Sequence, residues 1–157
     1  MRHIFIYLFF SVSVMDVLYF VPFLRVVLGC LLIITASLKF PNLRGFSIII
    51  ASYGLLPRVL VKPLAYVQPF VEFIVGWWVL SGELLVYSSI AGFGLMMAAN
   101  VFVLWGLVQK KRLQNCGCYG VDIKVPLTWK KFAENLVWSA LFVVLFFAAL
   151  KLRALGF

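Results

Sequence analysis

The chain has 157 residues, 65% hydrophobic and only 12% charged, with a formal net charge of +9 and a mean hydropathy of +1.10. Soluble domains carry roughly a quarter charged residues, and one small core has no room for this much apolar surface, so a soluble globular domain is excluded. The positive charge does not point to nucleic acid, because the basic residues fall between apolar runs, where lipid headgroups and topology account for them.

A bilayer is the solvent that suits such a composition. It offers the backbone no hydrogen bonds, so spans must be helices or a closed barrel, and unbroken rather than alternating apolar runs select helices. From Ile4 to Phe40 the sequence is almost wholly apolar, interrupted by Asp16, Pro22, Arg25 and Lys39. The start resembles a signal peptide, but no small-residue cleavage site precedes Asp16, and the segment is read as retained. The expectation is an N-terminal apolar extension over 1–16, interfacial or frayed, followed by a membrane domain over 17–153 whose first span covers about 17–38. The stretch PNLRGFSIIIASYGLLP, bounded by Pro41 and Pro57, is too short to cross and predicts a helix that lies in the interface or dips back.

A second span is expected over about 63–80 and a third over about 84–108. The third is free of charge and carries Ala91, Gly92, Gly94, Ala98 and Ala99, small residues that let membrane helices pack closely. A basic loop follows, then a fourth span over about 132–150. The predicted fold class is therefore all-α: a polytopic four-helix transmembrane bundle with an interfacial helix between spans one and two. Four spans place both long loops on one face. That face gathers Lys39, Arg44, Arg58, Lys62, Lys110, Lys111, Arg112, Lys124, Lys130 and Lys131, against Arg2, Lys151 and Arg153 on the other. The bias predicts a cytoplasmic loop face.

The segment LQNCGCYGVDIKVPLTW, over 113–129, is the one polar stretch with chemical potential. Cys116 and Cys118, one glycine apart, can close a strained and therefore labile disulfide. They can also hold a soft metal ion, or simply shape a loop. Neighbouring lysines and Arg112 favour the thiolate. Cys30, inside span one, is either a small hydrophobe or a third thiol roughly 12 Å from the loop-side end of its span. Arg25 and Glu72 are ionisable groups at membrane depth, expected to form a structural ion pair, with a proton or substrate relay as the alternative. Asn100 is expected to hydrogen-bond a neighbouring helix. His3 is the only histidine, which argues against imidazole catalysis. Trp77, Trp78, Trp129 and Trp138 are read as interface belt and packing.

Several segments together carry a resemblance: LRVVLGCLLIITASLKF, ASYGLLP, VKPLAYVQPFVEFIVGWWVLSG, NCGCYG and LTWKKFAENLVW. In order and spacing the chain resembles the MauE proteins, four-helix membrane proteins of the wider DoxX-like group, over about 24–150. The commoner cysteine motif ends in Phe-Gly, where this chain has Tyr119. The resemblance implies a redox-associated membrane protein that helps mature an exported, disulfide-rich dehydrogenase beside a thioredoxin-like partner. On that footing Cys116 and Cys118 are the redox pair, and Arg25, Lys39, Tyr53, Pro57 and Glu72 occupy motif positions. The implied partners act outside the cytoplasm, whereas the charge bias puts the cysteines inside; the two agree only if electrons cross the membrane.

The leading expectation is thiol–disulfide handling, or maturation of an exported redox protein, with no organic cofactor implied. Its partners are the lipid bilayer and a thioredoxin-like protein. Two rivals stand beside it: a non-catalytic small subunit of a larger respiratory or photosynthetic membrane complex, and a soft-metal carrier using Cys30 with the pair.

Overall fold

The computed structural model describes residues 14–111 and 113–154, with side chains from Tyr19 onward. The expected N-terminal segment lies almost wholly outside the described residues. Five α-helices follow one another: α1 Val14–Ser37, α2 Leu43–Tyr53, α3 Arg58–Ser81, α4 Leu85–Val108 and α5 Trp129–Ala154, with a short 3-10 turn at Phe40–Asn42 before α2. Four helical stretches are long and apolar enough to cross a membrane, and no strand occurs among the described residues. This is the expected all-helical, multi-pass architecture.

Local sequence accounts for the breaks. Pro41 opens the 3-10 turn. Asn42 then caps α2, its Oδ1 accepting from the Gly45 N–H at 2.8 Å, which satisfies one of the unpaired donors at a helix start. Pro57 stands as the N-cap of α3 in extended backbone. That helix begins several residues before Pro63, so Pro63 sits inside it rather than at its start. The missing proline donor frees a carbonyl near the exposed helix end, where water or headgroups can satisfy it.

The helices associate as two pairs, α1 with α3 and α4 with α5. The α1–α3 crossing is closest at Gly29 and Gly76, where a Cβ on Gly76 would stand 3.0 Å from the Gly29 carbonyl oxygen. Close backbone approach through small residues is a strong source of helix association in lipid. In α4 the small residues divide. Gly92 lies against the Phe142 ring of α5, while Gly94 has nothing near it and Ala98 is exposed. The main core joins Leu24, Leu28 and Leu32 of α1 to Val75 and Val79 of α3, Met96 of α4, and Phe142 and Leu145 of α5. A smaller cluster, Phe46 and Ile50 of α2 with Val61 and Ala65 of α3, fastens α2 back onto the bundle. The outward faces carry Tyr19, Phe23, Ile48, Val59 and Trp77, all exposed, as a lipid-facing surface requires.

Candidate functional site

The segment between α4 and α5 is organised by its own residues. Asn115 is the staple: its Oδ1 accepts from Gly117 N–H at 2.9 Å, and its Nδ2 donates to the carbonyls of Gly120 at 3.0 Å and Val121 at 3.2 Å. Two backbone bonds close the base of the loop, Cys116 N–H to Val125 O at 2.7 Å and Leu127 N–H to Leu113 O at 3.1 Å. Gly117 and Gly120 both have φ near +76° and +77°, a region that residues with a Cβ enter only at a cost.

The loop is seated on the end of the bundle. A Cβ on Gly120 would overlap the Leu38 carbonyl, and one on Gly117 would meet Ile49 at 3.0 Å and Phe46 at 3.3 Å. The glycine between the thiols therefore answers two demands, a left-handed backbone and close contact with α2. The Tyr53 hydroxyl donates to the Cys116 carbonyl at 2.9 Å. Lys111 donates to the carbonyls of Ser52 and Tyr53 at the C-terminal end of α2, where the helix dipole favours a cation.

Beneath the loop lies a cavity of about 170 Å³, walled by all five helices. Its walls are largely apolar, from Leu31, Phe46, Ile50, Leu95, Phe102 and Val103, and Trp138 joins them rather than an interfacial belt. The polar groups converge at the loop end: Cys116, Cys118, Tyr119, Lys39, Glu72, Gln68, Lys131 and Asn135. Lys39 Nζ donates to both carboxylate oxygens of Glu72, at 2.7 and 2.6 Å. Gln68 donates to Glu72 Oε1 at 3.0 Å. Lys131 binds Glu134 at 2.8 Å and the Tyr119 hydroxyl at 3.1 Å, and stands 4.2 Å from the centre of the Tyr119 ring. Both lysines are only 3% exposed.

The two thiols differ sharply. Cys118 is half-buried and faces Asn135 Nδ2 at 3.8 Å. The Cys116 thiol donates to it, and Lys131, Asn135 and Lys39 favour its charged form, so its pKa falls from 9.0 to about 7 against the opposing effect of burial. Cys116 is buried and is pushed well above the thiol range, first because it gives its hydrogen bond to Cys118 and then by burial. Burial likewise raises Tyr119. The arrangement makes Cys118 a ready thiolate and Cys116 a proton-bearing neighbour.

The expected residues are only partly brought together. Cys116, Cys118 and Glu72 share the cavity; Cys30, half-buried on α1, is not in its lining. Glu72 pairs with Lys39 rather than Arg25. Arg25 lies toward the opposite end of the bundle, its guanidinium against Gly82 at the end of α3 and its buried Nε without a hydrogen-bond partner. Depth along the helices favoured Arg25. The choice fell to Lys39 because α1 stops at Ser37, and the turn that follows directs the lysine inward. Lys131, Asn135 and Gln68 join the site beyond the residues the sequence singles out. The spacing of Lys131 and Asn135, four apart on α5, places them on one helix face and is the signal that was present. Asn100 meets its expectation, donating to Ser139 of α5 at 3.0 Å.

Fold and site together define a polytopic helical membrane protein whose extramembrane cysteine loop caps a cavity between two helix pairs. The family model for methylamine utilisation protein MauE matches residues 15–152, and the chain belongs to the MauE family. The methylamine utilization protein MauE of Paracoccus denitrificans is 25% identical over 118 residues, which is 75% of this chain and 63% of that protein. The chain thus spans less than two thirds of this relative's length. No solved structure matches.

Proposed function

We propose that this protein exchanges thiols and disulfides at the bacterial plasma membrane through Cys116 and Cys118, in support of the maturation of an exported redox protein. The observation that carries the reading is the placement of the pair: both thiols line the cavity, Cys118 half-buried beside Asn135 and Lys131, Cys116 buried with its carbonyl held by Tyr53. In this chemistry the Cys118 thiolate attacks a partner disulfide and releases one partner thiolate. Cys116 then loses its proton and displaces the other partner sulfur, closing the Cys116–Cys118 disulfide. Run backwards, the same steps pass a disulfide to a partner dithiol. Kinship with a methylamine utilisation protein supports a role in a system of that kind. The metal-carrier alternative that uses Cys30 with the pair is weakened by the placement of Cys30 outside the cavity lining.

The test is thiol counting by mass on protein alkylated directly from cells, with and without reductant. A population carrying a disulfide between Cys116 and Cys118, and a partner trapped on Cys118 when Cys116 is changed to Ser, are expected. A pair that is always reduced, traps nothing and tolerates the double change to Ser without phenotype leaves it a loop-shaping role. Co-purification in fixed ratio with a large membrane complex, again without trapping, favours the subunit reading.

A further inference from the structure

The cavity under the cysteine loop is larger than a redox pair needs, and its chemistry narrows what fits. Its size is the first constraint. A dry apolar cavity of roughly 150 Å³ admits benzene, so about 170 Å³ admits one substituted six-membered ring. Charge is the second. Lys39 is matched by Glu72 and Lys131 by Glu134, so no positive charge is left to attract an anion, and a Cys118 thiolate beside them repels one. A sulfur oxyanion or phosphate headgroup is therefore disfavoured. Hydrogen-bonding capacity is the third. Gln68 Nε2 gives one hydrogen to Glu72 and has another, and the Lys39 ammonium spends two of its three on the carboxylate. These spare donors at the polar end suit carbonyl acceptors, which a lipid tail lacks. Access is the fourth. The lining includes Leu64 and Gln68 of α3 and Ala98 and Ala99 of α4; Ala98 is exposed and the other three are half-buried. The cavity lining thus reaches the outer surface of the bundle at Ala98 of α4.

A neutral, lipid-soluble ring with two carbonyls, able to take two electrons, meets all four constraints. We propose that the cavity binds a membrane quinone, placed between the α3–α4 wall and Cys118, and that this quinone is the electron acceptor for the cysteine pair. The proposal rests on the thiol–disulfide reading for its chemistry. In the reaction the two S–H bonds of Cys116 and Cys118 break and one S–S bond forms. The two electrons and two protons pass to the quinone, whose two carbonyls become the hydroxyls of the hydroquinone. No further oxidant is consumed.

The experiment uses the full chain in detergent with an azido-benzoquinone photolabel, competed by a decyl-substituted dimethoxy-benzoquinone. Labelling is expected on α3, α4 or the cysteine loop. Ala99→Phe, which fills the cavity, and Gln68→Leu, which removes a donor, are each expected to weaken competition by roughly tenfold. Both variants are first checked for monodisperse elution and unchanged helical circular dichroism. Label that maps elsewhere, or competition that is equal in wild type and in the folded variants, overturns the site. A parallel measurement on wild-type dithiol protein follows quinone absorbance together with thiol count. One quinone reduced per disulfide formed is expected. Thiols that exchange with oxidised glutathione while the label finds no cavity sink the quinone proposal and leave the thiol reading standing. A labelled cavity with thiols inert to both oxidants keeps the binding site and removes both the electron-acceptor role and the thiol reading.

Discussion

A thiol with a pKa near 7 is about half ionised at neutral pH, and the groups that bring Cys118 there come from three directions. Cys116 lies on its own loop, Lys131 and Asn135 on α5, and Lys39 just beyond α1. Alkylation of Cys118 in the Cys116-intact protein is expected to rise with pH through a midpoint near 7 and to level off above it, since only the thiolate reacts. Lys131→Met removes a nearby cation and should move that midpoint upward, with rates read by mass after iodoacetamide quenching; a midpoint that stays near 7 removes Lys131 from the account. The Lys39–Glu72 pair makes a second residue-scale prediction. Breaking a buried pair by removing one partner costs about 3–5 kcal/mol, because a bare charge is left inside, whereas replacing both with apolar groups restores much of the loss. Glu72→Gln should therefore lower the thermal midpoint of the detergent-solubilised protein strongly, and Lys39→Met with Glu72→Leu should recover part of it. The same cycle run with Arg25→Leu in place of the Lys39 change should be additive.

At the scale of elements, the helix pairs are held by different surfaces. Gly76 leaves no room at the α1–α3 crossing: a Cβ there meets Leu32 at 2.9 Å as well as the Gly29 carbonyl oxygen. Gly76→Val should separate the pair and lower thermal stability. Gly94→Ala, with nothing within 4 Å of the new methyl, should be neutral or slightly stabilising, since glycine is the poorer helix former by about 1 kcal/mol. Equal effects from the two changes would show that the crossing is not tight. This contrast was not legible in the sequence. Gly92, Gly94, Ala98 and Ala99 read alike along the chain, and only the rotation of α4 decides that Gly92 meets Phe142 while Ala98 faces outward. The helices themselves were legible, because apolar runs in lipid have few other solutions. The loop was legible in its glycines and thiols, but its seat on Leu38, Phe46 and Ile49 depends on contacts with residues far back in the chain, which no local pattern records.

Across the whole molecule, two of the loop-side cations are not available to lipid headgroups. Lys39 and Lys131 are buried in ion pairs and do not face headgroups. Without them the described cations on the loop side are Arg44, Arg58, Lys62, Lys110, Lys111, Lys124 and Lys130, against Lys151 and Arg153 toward the other end. The remaining bias still predicts a cytoplasmic cysteine loop. Lys124→Cys, at an exposed loop position, should be labelled by a membrane-impermeant maleimide only after the cells are permeabilised; labelling of intact cells reverses the orientation. That orientation decides which compartment's thiols the pair can reach. One further property follows from the place where the loop is seated. Gly120 rests on the backbone of Leu38 and Lys39, and Lys39 is the ammonium that Glu72 of α3 holds. A single joint thus touches the sulfur chemistry on one side and the α1–α3 contact on the other. Coupling between two such events is reciprocal: any free energy by which ring closure disturbs the joint is the same free energy by which the joint shifts the dithiol–disulfide balance. On the proposed thiol–disulfide chemistry, the redox poise of the loop and the angle between two membrane helices are readings of one variable, and a bilayer that tilts α1 against α3 should shift the dithiol–disulfide balance.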